Sequence, residues 1–185
     1  MTRVLFPLLI LVSSIGCGVC LYQPLHSDDT LFFTPELLGR WKSDHDNRIW
    51  EFSRNEDKSY SLGSNLSDAT KTVYLTRLGG VLFMTATNVS NADESEQPAC
   101  RYILSGRIVL QEDRLTLHSV DIQTLTALLG EWKDAPPHHI YESQDASLIM
   151  FTGEARSLQS FLSSHANAPD LFDGSSPMTF TRVAE

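Results

Sequence analysis

Cysteine is scarce in this chain: only three occur, at positions 17, 20 and 100. Usage this sparse excludes a disulfide framework as the organiser of the fold. Basic residues are also few, with 14 Lys and Arg against 23 Asp and Glu and a formal net charge of −9. That balance excludes binding through phosphate charge, so neither nucleic acid nor an anionic headgroup surface is an expected partner. The glycines are scattered and form no phosphate-cradling loop, while Gly79-Gly80 leads into an apolar run. No Gly-x-Ser-x-Gly elbow is present, and no Cys–His pair has a recognisable orienting group. Ser164-His165 falls on an expected helix, where adjacent residues do not face each other. No catalytic residue and no cofactor are therefore assigned.

What the chain does have is a distinctive start. Arg3 is the only charge in the first 25 residues, and an apolar stretch broken by Pro7 leads to Ser13, Ser14 and Gly16. A charged start, an apolar middle and small residues before a cut are the parts of a secretory signal. Ser14-Ile15-Gly16-Cys17 resembles the cleavage box of bacterial lipoproteins, with Ser14 standing where that family prefers Leu, Val or Ile. The resemblance implies that Cys17 becomes the first residue, takes a diacylglycerol on sulfur and is the lipid-attachment site. Two or more acyl chains would hold it stably on a membrane. Gly18, rather than Asp, in the next position is similar to the pattern sorted to the outer membrane. Two other readings remain open. Ser14-x-Gly16 also suits ordinary secretion, and the uncharged stretch from Val4 to Leu25 is long enough to be an uncleaved membrane anchor.

The expected domain division is a signal peptide over 1–16, a lipidated cysteine and flexible tether over 17–35, and one β-rich globular domain over 36–185. The tether expectation rests on Gln23, Pro24, His26, Ser27, Asp28 and Asp29, which give the segment little to pack. An oxidising periplasm would permit a Cys20–Cys100 bond, but a cysteine on a tether is a poor partner for it. Past the tether, short alternating runs near 37–42, 48–52, 60–62, 72–78, 81–85, 101–110 and 114–118 read as strands of a meander. Gly79-Gly80 between two apolar runs marks a hairpin. From Asp121 the period changes: Ile122, Leu125, Leu128, Leu129 and Trp132 line one face of a helix that Asp121 caps. A strand at 147–151, a helix at 154–165 and a last strand at 178–183 complete the pattern. The fold class expected is mainly β (α+β): an antiparallel meander curled into a barrel-like sheet, with two short covering helices.

Gly39-Arg40-Trp41 resembles the Gly-x-Trp opening of lipocalins. There the Trp closes one end of the barrel beneath an Arg from near the chain's end, which implies that part for Arg182 through a cation–π contact. No match to the second lipocalin motif occurs. Most of the domain is similar to a group of uncharacterised bacterial envelope lipoproteins. The matching residues are Leu37 to Trp41, Leu78 to Gly80, Leu158 to Leu162 and Arg182.

No metal site is expected. His138-His139 with Asp134 or Glu142 has metal-binding side chains, but neighbours on an extended chain point to opposite faces. Asp44-His45-Asp46 is turn chemistry. The reading that results is a lipid-anchored protein of the cell envelope facing the periplasm, more a binding module than an enzyme. An apolar, lipid-like small molecule inside the curled sheet is one expected ligand. The alternative is an envelope protein–protein adaptor or assembly factor, marked by an exposed apolar patch or an unpaired sheet edge. A hydrolase whose residues meet only in three dimensions is a further alternative.

Overall fold

The structure, a computed structural model, describes residues 18–87, 100–142, 147–173 and 176–184. In chain order its strands are β1 (Gly18–Leu21), β2 (Leu31–Phe32), β3 (Gly39–Ser43), β4 (Ile49–Arg54), β5 (Tyr60–Ser64) and β6 (Ser67–Leu78). There follow β7 (Val81–Thr87), β8 (Tyr102–Gln111), β9 (Arg114–His118), β10 (His138–Glu142), β11 (Ser147–Phe151) and β12 (Met178–Arg182). The helices are α1 (Ile122–Glu131), α2 (Ala155–His165) and the short α3 (Pro169–Asp173). All lie close to the runs marked by sequence periodicity except β1, β2, β10 and α3.

Strands β3 to β9 form the expected meander, and β12 slots between β9 and β3 to close an eight-stranded antiparallel barrel. Gly79 and Gly80 turn the β6–β7 hairpin with φ of 56° and 83°, the positive values a two-residue turn of this kind requires. One wall of the barrel continues beyond closure. The first half of β8 pairs with β1, which lies parallel to β11, and β11 carries β10 on its far side. The second half of the same β8 edge pairs with β9. The switch between the two partners is a bulge: Met84 faces Gly106 and Thr85 faces Leu104, leaving Ser105 as the extra residue.

Alternation along these strands makes two cores. Trp41, Phe52, Tyr60, Leu75, Met84 and Phe180 fill the barrel. The outer face of β6, β7, β8, β1 and β11 packs under the helices through Phe83, Leu104, Val19, Ile149, Leu125 and Phe161. The bulge decides which core Leu104 joins, because one extra residue reverses the in–out alternation. The helices thus cover an outer face of the wall rather than the mouth of the barrel. Asp121 caps α1 as expected, accepting from the Thr124 N–H at 2.8 Å.

Two expectations over 17–35 are corrected. The segment from Gly18 onward is no flexible tether, since Val19, Cys20, Leu21 and Leu25 are all buried and β1 is hydrogen-bonded on both edges. The polar residues that suggested a tether lie in the turn between β1 and β2. Because Cys20 is on β1 beside β8, it reaches Cys100, and the two form a disulfide with Cα atoms 5.4 Å apart. Cys17 and the segment expected to be a signal peptide lie outside the described residues.

Candidate functional site

The barrel interior was the first place to expect a ligand, and side chains occupy it. Trp41 and Tyr60 are 0% exposed, and Phe52, Leu75 and Phe180 no more than 2%. Their polar atoms are satisfied from the 3-10 turn Pro35–Leu37 and its flanks. Trp41 Nε1–H donates to the Leu37 carbonyl at 2.8 Å, and the Tyr60 hydroxyl accepts from the Thr34 N–H at 2.7 Å. Burial raises the Tyr60 pKa above 10.0, keeping the phenol neutral. Arg182 sits over the Trp41 ring at 4.3 Å, donates to the Leu38 and Glu36 carbonyls and pairs with Asp113 at 3.3 Å. The contact expected between Arg182 and Trp41 is therefore present, and it closes this end.

Two open depressions lie on either side of Thr181. One lies along Gln111 to Arg114 and the other along Lys42 to Asn47. Among their charged groups Asp44, Asp46, Asp113 and Arg114 are paired. Arg114 reaches Asp44 at 3.2 Å and Arg48 reaches Asp46 at 3.3 Å. Hydrogen bonds from Thr181 and Thr179, then Arg114, hold the Asp44 carboxyl below 3.8. The Arg48 N–H does most to hold Asp46 low, with Ser43 adding to it. Among the described residues no three His, Cys, Asp or Glu side chains gather as a metal site would require.

Other candidate groups are absorbed by the fold. His165 packs edge-on against Trp132 at 4.4 Å, with Nδ1 2.9 Å from the Phe161 carbonyl. Ser164 donates back to the Ser160 carbonyl at 3.0 Å. Neither arrangement makes a nucleophile with a base. His26 stacks on Tyr74 at 4.2 Å, and its buried Nδ1 has no hydrogen-bond partner among the described residues. Desolvation lowers its pKa below 6.5 against the opposing pull of Asp57 and Asp28.

What remains is the sheet edge. His138 and His139 open β10, and their side chains fall on opposite faces, as expected for neighbours on an extended chain. Strand β10 pairs with β11 on one side and, among the described residues, with nothing on the other. Ile140 is 38% and Tyr141 45% exposed, two of the four exposed large apolar side chains among the described residues. His139 and Tyr141 share a face with ring centroids 6.4 Å apart. His138 Nδ1 lies 2.7 Å from the Pro136 carbonyl. The other sheet edge among the described residues, β2, is two residues long, and Arg77 lies over its Phe32 ring at 3.5 Å. The sequence carried little signal for β10, only the Ile140-Tyr141 pair after Pro136-Pro137, and its position at the edge depends on pairings made elsewhere. No family model, curated protein or solved structure matches this chain.

Proposed function

We propose that this protein is a non-catalytic binding module of the bacterial cell envelope, lipid-anchored through Cys17 and facing the periplasm, and that it acts as a protein–protein adaptor. The observation that carries the adaptor reading is the unpaired edge of β10 with Ile140 and Tyr141 exposed. A row of unpaired N–H and C=O groups is a template for an extended segment, with backbone hydrogen bonds giving affinity and flanking side chains giving specificity. The compartment is proposed from the resemblance of Leu37 to Trp41 and Leu78 to Gly80 to envelope lipoproteins. The disulfide supports an oxidising one. The position of Gly18 supports an anchor close to the docking edge. Gly18 aligns with Leu148 and Leu148 with Tyr141 across two strand spacings, about 10 Å in all.

The test places a photoreactive side chain at Tyr141 in the envelope and, as a control, at Leu66, the most exposed large apolar residue among those described, in the turn before β6. A discrete adduct from position 141 and none from 66 is the expected outcome. Equal labelling at both positions, or none at either, overturns the adaptor reading. Release of a Cys17→Ser variant from the membrane fraction is expected, and its retention would remove the anchor.

A further inference from the structure

We infer that the partner received by the β10 edge is a second copy of this chain, paired antiparallel about Ile140 so that two twelve-stranded sheets become continuous; this rests on the adaptor reading above. The strand lacks three of the devices that keep a sheet edge single. It has no Lys, no Pro within its five residues and no bulge, and Pro136-Pro137 stand before its start. Its sequence, His138-His139-Ile140-Tyr141-Glu142, is complementary to itself when reversed. Antiparallel pairing centred on Ile140 sets each His138 imidazole opposite the Glu142 carboxylate of the other copy. It also sets each His139 opposite a Tyr141, and Ile140 opposite itself. His139 and Tyr141 already share a face within each strand, so the pairing gathers four rings on that side. Parallel pairing would instead bring the two Glu142 carboxylates together and stack like upon like, which the charges oppose. A two-fold axis through Ile140 also closes the assembly at two copies, because the other edge among the described residues, β2, is only two residues long.

The register predicts a pattern of cross-links in the full chain extracted from membranes. Directly opposed residues in an antiparallel pair have Cα atoms roughly 4.5–5.5 Å apart, within disulfide reach. Under mild oxidation Ile140→Cys is expected to yield a covalent dimer at least 5-fold above Leu66→Cys and above the unsubstituted chain. A mixture of His139→Cys and Tyr141→Cys is expected to cross-link, with each alone several-fold weaker. Sedimentation of the unoxidised protein gives a second reading that does not depend on a new cysteine. Glu142→Lys is expected to lower the dimer fraction 5-fold or more, and the exchanged pair His138→Glu with Glu142→Lys to restore it. Circular dichroism of each variant checks that the fold is kept. Dimer from Ile140→Cys no greater than from Leu66→Cys, or no rescue by the exchanged pair, overturns self-pairing. If Tyr141 photo-cross-links a different protein while Ile140→Cys stays monomeric, the adaptor reading stands without self-pairing. If neither reacts, both fall.

Discussion

His26 shows how one half-buried side chain ties stability to pH. Its ring stacks on Tyr74, and burial lowers its pKa below the ordinary 6.5. In the unfolded chain the imidazole takes a proton near 6.5, whereas in the fold it resists until lower pH. The stability that follows from its neutrality is complete above 6.5 and is lost as pH falls through that value toward the folded pKa. The lowered carboxyls of Asp44, Asp46 and Asp57 act in the same direction but in a separate window, below about 4. Urea melts at pH 7 and pH 5.5 should therefore show a drop in the native protein. In His26→Phe, which keeps a ring against Tyr74, that drop should largely vanish. An unchanged drop would place its source elsewhere. His26 is plainly visible in the sequence, yet its burial is not: the polar run around it reads as a tether, and only packing against β6 desolvates the ring.

The bulge in β8 is what lets one strand serve two partners. Gly106 adopts φ of 139°, and a Cβ there would come within 2.0 Å of the His118 carbonyl oxygen. The close approach is where β9 ends against β8 and β1 takes over the same edge. Gly106→Ala should cost about 3 kcal/mol or more, from backbone strain and the clash together. Gly80→Ala, also at positive φ but with nothing within 4 Å, should cost only about 1 kcal/mol. Chemical denaturation of the two variants distinguishes the effects. Equal costs would mean that strain alone, and not the strand junction, sets the penalty. The hairpin at Gly79-Gly80 was legible because two adjacent glycines between apolar runs have one common use. A single Gly106 within a strand has several, and the junction it permits joins residues far apart in sequence. The four-residue β1 was illegible for a related reason: it is held by β8, β11 and the Cys20–Cys100 bond rather than by its own pattern.

Across the whole molecule the barrel works as a packed core and not as a container. Phe52 is 2% exposed and meets Trp50 and Tyr60 edge-on. The native protein should therefore leave an apolar fluorescent probe unbound, with no quenching of Trp41 and Trp50 emission. Phe52→Ala opens the interior, should lose about 3–5 kcal/mol of stability, and should gain probe binding if the walls do not collapse. Saturable probe binding by the native chain at one site per molecule, quenching those tryptophans, would restore the lipid-like ligand expected from the sequence. With the interior filled and Asp44, Asp46 and Arg114 paired, the edge at β10, unpaired among the described residues, is the surface on which the proposed adaptor role rests.

By itself the sequence determined the elements that carry their own period: the strands from β3 to β9, β11, β12, the helices α1 and α2, and the Asp121 cap. It also determined the mainly β class. These follow from local alternation and turn chemistry, which act within a few residues. It further pointed to the Arg182–Trp41 contact, through the resemblance in the opening motif. Tertiary structure alone decided that β12 closes the barrel, that β1 enters the sheet between β8 and β11, and that Cys20 meets Cys100. It alone left β10 with one neighbour among the described residues. Those outcomes depend on which distant strands share an edge, and an edge has no sequence pattern of its own: it is defined by the absence of the next strand.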